Sequence, residues 1–129
     1  MSRLSLHHIG IKVSSIDKIL ETFSQLGLIC EENEICSEVG LRIACVPLGN
    51  IKIEFLEIMD ENSPIAQDPH GLHHVALGTK NLEKWYHMMA LSNAFKVDGK
   101  IRLGLHHRKL FFFRLKEAPD TLYECVEAP

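Results

Sequence analysis

Residues 5–20 read SLHHIGIKVSSIDKIL, and residues 71–85 read GLHHVALGTKNLEKW. One phrase, His-His-apolar-small-apolar followed by a turn and a helix-like segment, is written twice in one chain. An internal repeat decides the architecture before any single residue does. With His8 set over His74, HIGIKV matches HVALGT and SSIDKILETFSQLG matches KNLEKWYHMMALSN. Later in each half, IKIEFLE (51–57) matches TLYECVE (121–127). The interval from His8 to Glu54 is only a few positions shorter than that from His74 to Glu124, so the halves differ by small insertions. The period is too long for a solenoid.

Working outward, residues 6–13 and 72–79 alternate as half-buried strands. Ile9, Ile11 and Val13 share one face, and Leu6, His8, Gly10 and Lys12 the other. Val75 and Leu77 face one way, and Leu72, His74, Ala76 and Gly78 the opposite way. A helix follows each strand. Ser15 suits an N-cap before Ile16, Ile19, Leu20, Phe23 and Leu26, with Gly27 at the stop. Asn81 would cap the segment carrying Leu82, Trp85, Tyr86, Met88 and Met89. Shorter apolar runs at 40–48, 51–58, 101–106, 109–115 and 121–126 read as strands, separated by turn signals at LGN, VDG and EAPD. Each half therefore reads β-α-β-β-β, an α+β class. The expected organisation is a single domain over 1–129, with module 1 at about 4–58, a linker at about 59–70 and module 2 at about 71–127. Ser63-Pro64 in the linker suits the opening of a short helical turn.

A chain of 129 residues supports one compact domain with its own core. With 46% hydrophobic residues and a net charge of −3, no basic stripe marks a nucleic-acid footprint. No apolar run approaches the roughly 20 residues that span a bilayer, and no leader pattern opens the chain. The expectations are a cytoplasmic protein with no nucleic-acid or membrane partner. Cys30, Cys36, Cys45 and Cys125 form no Cys-x-x-Cys pair and fit neither a zinc ribbon nor a disulfide scaffold. Cys45 and Cys125 lie in apolar runs and read as small core residues. Cys30 and Cys36 bracket an acidic connector.

The repeat also pairs four residues of chemical interest. In IKIEFLEI, Ile51, Ile53 and Phe55 take the face that packs on helices, leaving Lys52, Glu54 and Leu56 on the other. In TLYECV, Tyr123 and Cys125 pack, leaving Leu122, Glu124 and Val126. A glutamate inside a mostly apolar strand is unfavourable without a partner. Glu54 and Glu124 lie on the same kind of face as His8 and His74. If the halves curl into one concave sheet, two imidazoles and two carboxylates meet, a ligand set for a divalent transition metal. His7 and His73 have the opposite parity and fall outside that set.

The stretches LHHIGIKV…LGL, VPLGNIKIEFLE, DENSPIA and GLHHVAL resemble the methylmalonyl-CoA epimerase family of the vicinal oxygen chelate, or glyoxalase-like, superfamily. The resemblance covers nearly the whole chain. It implies two βαβββ modules forming a U-shaped mixed sheet around one divalent metal, Co, Mn, Ni or Zn. Carried over by position, the family's ligands are His8, Glu54, His74 and Glu124. A catalytic glutamate of the family, placed just before the strand that leads to the metal-bearing one, matches Glu38 in SEVGLRIACV. The implied activity is interconversion of (2R)- and (2S)-methylmalonyl-CoA, or of a similar 2-acyl thioester, by removal of the α-proton through an enolate stabilised by the metal. Glu38 serves one face of the substrate. A metal-coordinated carboxylate, Glu124 or Glu54, is the economical candidate for the other, with Glu124 assigned. Lys12 points inward beside His8, where its ammonium would meet a substrate carboxylate or phosphate; the alternative is that it snorkels to the rim.

Departures from the family lie between 102 and 121, where RLK and APDT replace a His-Pro-Lys step and a Gly pair, and in the short linker. Arg102, His106, His107, Arg108, Lys109 and Arg114 make this region basic, compatible with an acidic substrate tail, though a solvated strand face is preferred. The alternative enzyme is a glyoxalase-like lyase acting on a glutathione hemithioacetal, and a third reading is a non-enzymatic small-molecule binding protein of the same fold. A homodimer is expected, because strand edges and helical faces need cover.

Overall fold

The computed structural model describes residues 3–128. They form two compact units, one running from His8 to His73 and the other combining the amino-terminal segment through His7 with His74 onward. The first contains most of β1 (Ser5–Lys12), then α1 (Ile16–Ser24), β2 (Glu32–Cys36), β3 (Leu41–Leu48) and β4 (Ile51–Ile58). Its strands run in the order β2-β3-β4-β1, with β1 parallel to β4 and the other pairs antiparallel. The second carries most of β5 (Gly71–Thr79), then α2 (Leu82–Leu91), β6 (Phe95–Leu103), β7 (Lys109–Leu115) and β8 (Ala118–Glu127), in the order β5-β8-β7-β6. Here β5 is parallel to β8, and β8/β7 and β7/β6 are antiparallel. Both units are α+β and both read βαβββ, as the repeat requires.

Strand parity sorts the side chains as the alternation predicts. In the first unit Ile11, Val13, Ala44, Val46, Ile53 and Phe55 pack against Ile16, Ile19, Leu20 and Phe23 of α1. In the second, Leu77, Val97, Phe111, Phe113, Tyr123 and Cys125 pack against Leu82, Trp85, Tyr86 and Met89 of α2. The opposite face of each sheet carries the histidines and glutamates. Helix α1 is closed at both ends by sequence-encoded devices. The Ser15 hydroxyl accepts from the Lys18 amide. At the other end Gly27, at φ 77°, directs its own amide to Ser24 and the Leu28 amide to Phe23, the paired bonds of a glycine-terminated helix.

Four local expectations are corrected. The stretch 32–36, read as part of an acidic connector, is strand β2. Among the described residues it is an edge strand, pairing with β3 alone, and its mostly polar residues give it no apolar period to detect. The VDG signal lies inside β6 rather than at a strand end: Gly99, at φ 73°, sits where the β6/β7 register shifts between Asp98 and Arg102, so it marks a bulge. Asn81 takes the cap position of α2 without a side-chain capping bond, and its amide donates to the Thr79 hydroxyl. In the 59–70 stretch a series of tight turns (Ser63 N to Asp60 O, Ala66 N to Ser63 O, Asp68 N to Ile65 O) replaces the expected helical turn. Among the described residues no helix is long and apolar enough to cross a membrane.

One cap was not visible in the sequence. Glu57 of β4 extends its carboxylate to the Ile16 amide at 2.7 Å, satisfying a donor that the first turn of α1 leaves unpaired. Its repeat partner Glu127 instead accepts from the Lys109 amide at 3.3 Å. Glu57→Ala should therefore cost about 1–2 kcal/mol in urea denaturation, the usual loss for a helix cap. Glu127→Ala should cost less than about 0.5 kcal/mol, as for a substitution away from such a feature; equal losses would show that the capping contact carries no special stability.

Candidate functional site

The geometry of each pair starts from strand register. In β1/β4 the residue beside Glu54 is Gly10, and in β5/β8 the residue beside Glu124 is Ala76. Neither offers a side chain beyond Cβ. The histidine two residues earlier on the same face, His8 or His74, leans across that gap toward the glutamate. This explains the small residue in the repeated phrase. A long side chain at position 10 or 76 would stand where the imidazole reaches.

His8 Nε2 lies 3.4 Å from Glu54 Oε2, and His74 Nε2 lies 3.1 Å from Glu124 Oε2. His8 and His74 are each 4% exposed, and Glu124 is 5% exposed. Metal–nitrogen and metal–oxygen bonds of about 2.1 Å place adjacent ligands about 3.0 Å apart in an octahedron and about 3.4 Å apart in a tetrahedron. Both pairs have the separation of one edge of such a polyhedron. One neutral nitrogen and one anionic oxygen in each pair also suit a borderline divalent cation. The residues present fit the metal.

Around these pairs the surroundings differ. His74 meets the Phe112 ring edge-on at 6.0 Å, and the Arg102 guanidinium lies over the same ring at 5.3 Å. Cys45 is the register partner of Glu54; burial first, and the Glu54 charge second, push its thiol up to about 12. It is a buried thiol on the histidine face. Cys125 packs on the helix face, and burial pushes it likewise to about 12. Glu38 is exposed on a 3₁₀ turn, Ser37–Val39, that ends at Gly40. Burial raises the Cys36 thiol, and the charges of Glu34, Glu54 and Glu38 raise it further.

Lys12 is buried, as its parity requires, but its ammonium donates to the carbonyls of Ile65, Ala66 and Asp68. An ammonium has three donors, and all three are directed at the chain itself rather than toward a substrate. His73 pairs with Asp68, and His7 with Arg108. Of the basic residues between 102 and 114, Lys109 pairs with Glu83 on the surface and Arg114 donates to the Pro119 carbonyl.

The sequence model of the Glyoxalase/Bleomycin resistance protein/Dioxygenase superfamily matches residues 7–112. The chain belongs to this superfamily. Among its relatives, the mitochondrial methylmalonyl-CoA epimerase of Homo sapiens is 25% identical, over 95% of this chain and 73% of the human one. A hypothetical protein from Bacillus halodurans has a solved structure with a TM-score of 0.88 and 30% identity, covering 99% of this chain and 96% of its own. The methylmalonyl-CoA epimerase structure from Mycobacterium tuberculosis gives a TM-score of 0.84 at 27% identity, covering 100% of this chain and 94% of that one.

Thiol chemistry provides a direct check on the buried cysteines. With a pKa of about 12, roughly one thiol in ten thousand is ionised at pH 8, and the thiolate is the nucleophile. Native protein treated with iodoacetamide at pH 8 should keep Cys45 and Cys125 unmodified in peptide mass maps. Alkylation of Cys45 as fast as in unfolded protein would contradict its placement.

Proposed function

We propose that this chain is a metal-dependent epimerase that interconverts the two configurations of methylmalonyl-CoA or of a similar 2-acyl thioester. The observation that carries the reading is the pair of His/Glu contacts at repeat-equivalent positions, each with the spacing of adjacent metal ligands. In this reading His8, Glu54, His74 and Glu124 hold one divalent cation. The epimerase names of the human relative and the Mycobacterium tuberculosis structure support the same substrate class.

The chemical difficulty is the negative charge that grows on the thioester oxygen as the α-proton leaves. A divalent cation in this donor set would supply Lewis-acid stabilisation of that charge, worth on the order of 3 kcal/mol or more. The chain's own residues then divide the remaining work. Two neutral imidazoles and two carboxylates balance a divalent charge while leaving coordination positions open. Glu38, exposed and carried on a turn, takes the proton at one face of the α-carbon. Returning it to the other face needs a second acid, and Glu124 is the candidate. Placed carboxylates of this kind contribute roughly 10²–10⁴-fold.

Proton NMR of methylmalonyl-CoA in deuterated water tests the reading. Protein loaded with Co²⁺ should wash out the α-proton, and Glu38→Gln should slow the washout by about 10²–10⁴-fold while binding Co²⁺ normally. His74→Ala should lose Co²⁺ in calorimetric titration. Conversion of a glutathione hemithioacetal without any α-proton exchange in methylmalonyl-CoA would replace the epimerase by the lyase. A chain that binds no divalent cation and turns over neither substrate would be a binding protein.

A further inference from the structure

Lys12 stands at a place where the two modules part company. Its repeat counterpart is Gly78, where an added Cβ would meet Ala128 Cβ at 3.0 Å. The first module places there a long cationic side chain that is 3% exposed. Its Nζ donates to Ile65 O at 3.0 Å, Ala66 O at 3.0 Å and Asp68 O at 2.5 Å. Only the first module is followed by the 59–70 connector, and all three acceptors belong to it.

The connector runs as successive tight turns, and such a path has little regular bonding of its own. Of the three carbonyls, that of Ile65 also accepts the Asp68 amide. Carbonyls turned away from water need donors. A ring of backbone carbonyls also solvates a bare cation, as in potassium-selective filters. The lysine ammonium supplies both needs at once, with three donors for three acceptors. The far end of the connector is fixed separately: the Met59 and Asp60 amides donate to the Gly40 carbonyl. The near end leads to the site. Asp68, held through its carbonyl by Lys12, holds His73 Nε2 through its carboxylate at 2.7 Å. The next residue is His74.

We propose that Lys12 is a positioning residue: a built-in monovalent cation that gathers the connector carbonyls and, through Asp68 and His73, fixes the start of β5 from which His74 projects. The consequence at His74 rests on the metal reading above; the effect on the connector does not. Partners that orient a metal ligand without touching the metal typically change its affinity about 10–100-fold.

The test uses the full chain with Lys12→Ala, which removes a fragment the size of propylammonium, and Lys12→Met, which keeps an apolar stem. Readouts are amide hydrogen exchange over 62–73 and Co²⁺ affinity by calorimetry. In both variants the connector amides should exchange faster, and Co²⁺ should bind about 10–100-fold more weakly. Propylammonium in the millimolar range should restore both in Lys12→Ala, whereas propanol should not. That rescue separates a cation role from lost packing. If Lys12→Ala folds only with propylammonium present, the proposal is equally supported. Unchanged connector exchange in either variant would overturn it, as would rescue by propanol as effective as by propylammonium. Should Lys12→Ala not fold under any condition, Lys12→Met decides by the same exchange measurement. If the parent protein binds no Co²⁺, the metal reading fails by itself, and connector exchange with its rescue still judges Lys12.

Discussion

A carboxylate pointing from the middle of a sheet strand into a largely enclosed space must find a polar partner. Leaving it unpaired costs several kcal/mol. Both units meet that demand in the same manner: Glu54 faces His8, and Glu124 faces His74. The rest of each unit follows from accommodating the pair. The histidine strand must lie parallel to the glutamate strand, and the position beside the glutamate must be small. The other strand face carries the two helix-packed apolar clusters, while the paired face buries Ile43, Leu56 and Val126 around the polar groups. A helix must cover that apolar face, and the chain then needs a helical crossover between parallel strands, which the βαβββ order provides.

Duplication supplied the plan twice, and the differences between the copies show what each position does. Position 57 caps a helix in the first copy, while 127 braces a neighbouring strand in the second. Position 12 is a buried cation that holds the connector, while 78 is a glycine in close contact with its surroundings. Ser15 caps through its hydroxyl, whereas Asn81 occupies the cap without doing so. The His/Glu pair is what both copies keep. Features shared by the copies belong to the common chemistry, and those that differ belong to local construction.

That contrast also explains what was legible in the chain. Strand alternation around His8 and His74 revealed the parity of both faces, because a half-buried sheet enforces a period of two. The same alternation located Glu54 and Glu124, since a charge on the wrong face of an apolar strand stands out. Strand β2 was not legible: an exposed edge strand buries almost nothing, so its polar residues resemble a connector. The bulge at Gly99 was read as a turn because glycine at positive φ serves either purpose. Lys12 was placed on the correct face, but its partners were not. Its three acceptors are main-chain carbonyls more than fifty residues away, and backbone oxygens carry no signature in a sequence.

The two classes of glutamate also differ in how they are held, and the difference matters for the proposed chemistry. Glu54 and Glu124 belong to strands, where register and a facing imidazole restrict their movement. Such restraint suits a ligand, whose donor atom must stay in one place. A proton carrier that is not also a ligand has to reach a carbon atom by its own movement, so it benefits from a support that is anchored but not enclosed. Glu38 has that support. Its turn ends at Gly40, whose φ of 63° no β-branched residue would tolerate and whose Cβ position lies 2.8 Å from Asp60 Cβ. The Gly40 carbonyl receives the first amides of the connector. The backbone beneath Glu38 is therefore pinned while its side chain stays exposed. The connector that Lys12 gathers at one end fixes at its other end the turn that carries the proposed base.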